Sequence, residues 1–223
     1  MAKRNTKELI LTTSLDLFNE LGEPNVTTNH IADEAEISPG NLYYHFRSKD
    51  DIVIQLFKRF LTRLQPLIEV PENSAFEAED LWFQLHLTFE IKGQFRFLYR
   101  NLSDLTTQIP NLDRAMRGLL MRERQAAFQL ISGLELRGAL QINSQEKELL
   151  IDTILLVITY WIPFASIFEL HGLDDGTAQI KAIARVLQLV APFLREPERS
   201  QFTNLAFEYL EQTHPGKEKA DWV

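Results

Sequence analysis

Along nearly the whole chain apolar residues recur at three- and four-residue steps, while alternating runs of the kind that pair as strands are scarce. From Thr6 to Leu21, Leu9, Ile10, Leu17, Phe18 and Leu21 follow helical spacing, and Gly22 supplies a left-handed stop. A short periodic stretch follows over roughly 28–35, with Ile31 and Ala35 turned inward. Ser38 and Pro39 then offer a cap with proline at the first helical position, opening another short helix through Phe46. Ser48 can cap a fourth, whose Ile52, Leu56, Phe60 and Leu64 lie four apart. It is expected to stop near Pro66, since proline disfavours helix in the residue before it. Further helices are predicted at roughly 76–92, 94–107, 110–138, 145–171, 176–195 and 198–212, with a frayed tail from Thr213 to Val223. The fold class is all-α.

The stretch Pro66 to Ser74 carries two prolines and acidic residues and reads as a joint. The division expected is a three-helix unit over 1–50, a connecting fourth helix over about 48–65, and a larger helical domain over 51–223. Over 223 residues, 45% hydrophobic and 24% charged positions are those of an ordinary globule, and the absence of cysteine removes disulfides, thiolate nucleophiles and iron–sulfur clusters. The N-terminus lacks the apolar core of a signal peptide. The longest uncharged stretch, between Asp152 and Glu169, is 16 residues and includes Pro163, so it reads as protein core rather than a membrane span. These features predict a cytoplasmic protein with no membrane partner.

The formal charge of −8 argues against a generic polyanion binder, so any nucleic-acid contact must be local. Residues 1–60 hold seven basic and nine acidic residues, yet 37–49 contain Arg47 and Lys49 and no acid. With Lys3, Arg4 and Lys7 as an arm, positive charge is focused on one helix. Three helices within fifty residues, the last two separated by a short turn, form the layout of a helix-turn-helix. Asn41 is the best base reader, since its amide both donates and accepts toward adenine. Thr28 is placed to cap the second helix and to present its hydroxyl or amides to a phosphate. Ser38, Pro39 and Gly40 stand at the recognition helix's leading end, while Leu42 and Phe46 point into the core. Tyr43 and Tyr44 cannot share a helical face, so one supports the fold while the other touches DNA. His45 and Lys49 are placed for phosphates.

The run Val26-Thr-Thr-Asn-His-Ile-Ala-Asp-Glu-Ala-Glu-Ile-Ser-Pro-Gly-Asn-Leu-Tyr-Tyr-His-Phe-Arg-Ser-Lys-Asp-Asp resembles the DNA-binding signature of the TetR/AcrR family of bacterial regulators. The match spans roughly residues 5–60. The resemblance implies a homodimer on a near-palindromic double-stranded operator, usually a repressor released by a small molecule, and favours DNA contact for both tyrosines. It departs at the turn, where Glu36 replaces the usual glycine; a left-handed backbone there costs about 1 kcal/mol. That carboxylate also places negative charge near the DNA side.

Residues 61–223 hold 16 basic and 22 acidic residues and should stay off the duplex. The segment Leu149 to Phe168 is apolar nearly all round and needs neighbours on every flank. Ile154, Ile158 and Ile162, with Ile183, Leu187 and Val190 from the next stripe, are expected to form a four-helix interface about a two-fold axis. Trp82, His86, Phe89, Glu90 and Arg100 are candidates for an apolar effector pocket, completed by Phe128, Tyr160, Trp161 and Phe164. Glu90 with Arg100 or Arg96 would form a buried or partly buried ion pair. Asp50-Asp51 and Asp174-Asp175 read as helix-start residues. No metal cluster, cofactor motif or catalytic signature such as G-x-S-x-G or H-E-x-x-H occurs, so enzyme activity is not expected. The alternatives are an architectural DNA binder without effector, and a helical carrier or enzyme that has lost DNA recognition.

Overall fold

The computed structural model describes residues 6–72, 75–168 and 176–212. The arm residues Lys3 and Arg4, the pair Asp174-Asp175 and the tail from 213 lie outside them. Among the described residues the elements are helices α1 (Thr6–Leu21), α2 (Thr28–Glu34), α3 (Pro39–His45), α4 (Lys49–Ile68), α5 (Ala78–Gln94), α6 (Arg96–Arg100), α7 (Leu102–Gln108), α8 (Pro110–Leu136), α9 (Ser144–Phe168), α10 (Thr177–Val190) and α11 (Glu198–Gln212). No strand forms among them; an isolated antiparallel bridge joins Leu140 and Leu194.

The chain divides into two compact units, residues 1–65 with 94–119, and residues 66–93 with 120–223. The first unit therefore reclaims a segment that the linear reading assigned to the larger domain. Buried Asn19 explains the return: its amide donates to the Gln94 carbonyl at 2.9 Å, and its oxygen accepts from the Phe97 amide at 3.1 Å. The side chain thereby satisfies two backbone groups that helix ends leave unpaired. Around it, Phe18 meets Phe97 with ring centroids 5.2 Å apart, and Phe60 meets Phe95 at 5.5 Å and Tyr99 at 5.9 Å. Phe95, Phe97 and Tyr99 are thus core of the first unit.

Local chemistry sets the helix ends. Gly22 takes φ 83 after α1. Ser48 Oγ accepts from the Asp51 amide at 3.2 Å, while the Asp51 carboxylate accepts from the Arg47 amide at 3.1 Å. These paired side-chain contacts satisfy backbone donors at the start of α4. That helix runs past Pro66 to Ile68, a correction to the expected stop. Proline lies so near the C-terminal end that the helix loses a single hydrogen bond there rather than its continuation. The predicted 94–107 helix is two pieces, because Asn101 leaves the helical region at φ −115. The predicted 176–195 helix ends at Val190, and Ala191–Phe193 continues as a 3-10 turn with Pro192 at its start.

In the second unit, α9 carries Leu150, Ile151, Ile154, Ile158, Trp161, Ile162 and Ala165 on buried faces. All of these but Ile162 join Phe89 from α5, Leu130, Ile131 and Leu134 from α8, and Ile183, Leu187 and Val190 from α10 in one core. The Trp82 indole donates to the Tyr209 hydroxyl at 2.6 Å and ties α11 to α5. By length and composition Ser144–Ile167 could cross a membrane, a longer apolar helix than its 16-residue uncharged stretch suggests. Eight of its residues, Thr159 included, are nonetheless buried within the chain.

Candidate nucleic-acid interface

The outer surface of α3 is built on two buried anchors, Leu42 and Phe46, at 0% and 3% exposure. Their four-residue spacing fixes the helix's rotation, so Ser38, Pro39, Gly40, Asn41, Tyr43 and Tyr44 are all exposed, and His45 is half-buried. Ser38 Oγ accepts from the Asn41 amide at 3.2 Å, holding the leading end of α3 as the sequence predicts. Tyr44 stands out at 84% exposure, with its ring edge-on to His45. A large aromatic so exposed has apolar surface and a hydroxyl to offer a partner.

Thr28 is not the cap of α2. Thr27 is, its hydroxyl accepting from the His30 amide at 3.1 Å, because a cap must precede the first helical residue. Thr28 instead shares a hydrogen bond of 2.9 Å with the Tyr43 hydroxyl, coupling the start of α2 to the middle of α3. Glu36 takes φ 53, so the turn does adopt the left-handed backbone that glycine would enter freely. Its side chain is exposed.

Lys49 departs most from expectation. Its ammonium lies 2.8 Å from Glu23 Oε1 and donates to the Glu23 carbonyl at 3.0 Å and the Val26 carbonyl at 3.1 Å. A lysine has three N–H donors, and three acceptors take them, leaving none for a phosphate. Glu23 is 4% exposed, so the lysine neutralises a buried carboxylate and braces the turn before α2. Sequence reasoning missed Arg47 as a phosphate candidate, although it is the exposed cation beside α3. Lys7 lies over the Phe46 ring, 5.8 Å from its centroid.

The second unit contains a half-open cavity of about 50 Å³. Its walls are Leu67, Ile68, Leu81, Leu85, Ala126, Ala127, Leu130, Ile131, Ile154 and Ile158, with Gln84, Thr88 and Glu123 as polar members. None of the nine residues expected to line an effector pocket lines this cavity; Trp82 lines a separate cleft of about 470 Å³ with Phe202 and Leu205, and Phe128 one of about 490 Å³ with Gln129 and Leu136. Phe89 is buried in the core; Trp161 is 6% exposed, donates to the Ala178 carbonyl and lies under the Arg185 guanidinium at 4.3 Å. Trp82 bonds Tyr209, His86 packs against Trp82 with centroids 5.8 Å apart, and Phe128 lies beneath Lys147 at 5.2 Å. Tyr160 and Phe164 are exposed, and so are Glu90 and Arg100, which rules out the expected buried pairing of those two. Arg100 also belongs to the first unit. The buried ion pair is instead Lys92–Glu123, at 2.8 Å with both side chains at most 2% exposed.

The six residues expected at a subunit interface are corrected too. Ile154, Ile158, Ile162, Ile183, Leu187 and Val190 are all at most 8% exposed within the single chain, and Ile154 and Ile158 line the cavity. A helix apolar on every side does not disclose which face its own chain covers. The face left open carries Leu149, Leu156, Tyr160, Phe164 and Ile167, at 69%, 59%, 49%, 45% and 79% exposure. Steps of seven, four, four and three place them along one side of α9.

Comparison with known proteins agrees with this arrangement. Residues 10–56 match the family described as bacterial regulatory proteins of the tetR family, and residues 59–202 match one described as a TetR bacterial transcriptional repressor. A crystal structure of a TetR-family transcriptional regulator from Marinobacter aquaeolei VT8 superposes with a TM-score of 0.83 and 33% identity, covering 92% of this chain and 98% of that one. The HTH-type transcriptional regulator QacR of Staphylococcus aureus is 38% identical over 104 residues, 47% of each chain. The probable HTH-type regulator YttP of Bacillus subtilis is 26% identical over 136 residues, 58% of this chain. These matches span 64% of YttP and 47% of QacR, so the chain aligns with only part of each curated relative. With family matches that together run from residue 10 to residue 202, the chain belongs to the TetR family of bacterial transcriptional regulators.

Proposed function

We propose that this chain is a homodimeric, effector-responsive repressor that holds operator DNA with the exposed face of α3. The observation that carries the reading is the exposure of Asn41, Tyr43 and Tyr44 above the buried anchors Leu42 and Phe46. A helix that presents an amide near its leading end and two exposed tyrosines beyond it suits base edges and phosphates in a major groove. Asn41 reads a base; Tyr44, Ser38, His45 and Arg47 hold the backbone; Thr28 positions Tyr43. Pro39 and Gly40 keep the leading turn slim enough for close approach. Lys49 acts indirectly, as a brace for the turn.

The open apolar side of α9 pairs with the same side of a second copy. A two-fold arrangement then presents two α3 helices to successive major grooves, about 34–36 Å apart. The cavity of the second unit receives the effector, and α8, whose residues 110–119 belong to the first unit, carries the response along the chain. Release follows if the effector favours the conformation that fits DNA less well; a coupling of about 1–3 kcal/mol changes operator affinity by about 5- to 150-fold. Selection of duplexes from a random pool by the purified protein tests the reading. A recovered near-palindrome supports it, and recovery of no preferred sequence refutes it.

A further inference from the structure

The Lys92–Glu123 pair has a feature that a purely structural ion pair does not need. Glu123 is 3% exposed and lines the cavity; Oε1 faces Lys92, but Oε2 has no hydrogen-bond partner. A buried carboxylate oxygen without a donor loses its hydration and receives nothing in exchange. Lys92 is also committed elsewhere, donating to the Ile158 carbonyl of α9 at 3.0 Å. The remaining walls near Glu123 are aliphatic, with Thr88 and Gln84 as the other polar members, and the Gln84 amide already donates to the Leu67 carbonyl.

From this we infer that Glu123 Oε2 is the polar anchor of the effector site, and that the effector is a neutral amphipathic molecule with a hydroxyl or amide N–H donor at the end of an apolar body. This rests on the reading of the cavity as the effector site. The sign of the head group follows from charge balance. Lys92 and Glu123 cancel one another, so an anionic or cationic head group would leave one net charge among aliphatic walls; a neutral donor satisfies Oε2 and leaves none. An anion would in addition face the carboxylate directly. The cavity volume of about 50 Å³ admits a head group and the first carbons of a chain, well short of the few hundred Å³ that enclose a whole drug-sized ligand. Burial lowers the Lys92 pKa, with Glu123 acting in the opposite sense, in keeping with a pair held in low dielectric.

The test is calorimetric titration of the full chain with hexan-1-ol, hexanoate and hexylammonium, repeated on the double variant Lys92→Met/Glu123→Leu. The double variant removes both charges together and so avoids stranding one in the core; its fold is checked by circular dichroism. The wild type should bind hexanol about tenfold or more tightly than either ion, and the double variant, whose cavity lacks the acceptor, should bind hexanol about tenfold more weakly than the wild type. Equal binding of all three probes, tighter binding of either ion, or an affinity for hexanol that is unchanged in the double variant overturns the inference while leaving the effector reading intact. If no probe binds the wild type, the inference also fails. The effector reading is then tested separately, by release of the selected duplex with other classes of small molecule.

Discussion

Glu36 and Lys49 show how single side chains set the properties of the reading unit. At φ 53 Glu36 holds a backbone that costs a residue with a Cβ about 1 kcal/mol. Glu36→Gly should therefore raise unfolding free energy by about 1 kcal/mol in urea titration; an unchanged midpoint would mean that the turn is relaxed. The same change removes a negative charge beside α3 and should tighten binding to duplex of any sequence, most clearly at low salt. Lys49 behaves oppositely. Lys49→Met strands the 4%-exposed Glu23 carboxylate, and denaturation should show a loss of about 3 kcal/mol. A phosphate-contacting lysine would instead leave stability unchanged and lower the salt dependence of DNA binding. Arg47→Ala should show that second pattern, with one fewer counterion released.

At the scale of elements, capping and periodicity made the helices legible. Ser38, Ser48 and Gly22 end or begin helices as their chemistry dictates, and the left-handed turn at Glu36 was legible only through the family resemblance, which places glycine there. The cap of α2 was displaced by one residue because Thr27 and Thr28 offer the same hydroxyl; only the bond to the His30 amide separates them. What stayed hidden depends on contacts distant in sequence. Lys49 meets Glu23 across 26 positions, and Asn19 recruits the segment near Phe97 across 78. Lys92 and Glu123 did leave a trace: each interrupts a buried row, Leu81, Leu85, Thr88 and Lys92 on α5, and Met116, Leu119, Glu123, Ala126 and Leu130 on α8. A charge at a core register position marks a buried pair or a site. The faces of α9 carried no such mark, since both are apolar. Phe164→Glu, on the open face at 45% exposure, should yield helical monomers in sedimentation, whereas a charge at buried Ile158 should unfold the subunit. A dimer that survives Phe164→Glu would place the interface elsewhere.

For the whole molecule, the net charge of −8 and a DNA-binding role are reconciled by segregation, with acids concentrated outside residues 37–49. Weak general attraction to polyanions is then an expected property, and under the proposed function affinity comes from matched contacts at two α3 helices held at a fixed spacing. Nonspecific binding should be feeble and lost at modest salt, while binding to a selected site persists. The most direct test is the affinity of wild type and Asn41→Ala for a duplex selected by the protein, measured at one salt concentration alongside a scrambled duplex. Asn41→Ala should cost about 1–3 kcal/mol on the selected site, relax preference at one base position of each half-site, and leave the melting temperature of the protein unchanged. Equal affinity of both proteins for the selected site, or no discrimination between selected and scrambled duplexes by the wild type, would contradict the assignment of α3 as the reading surface.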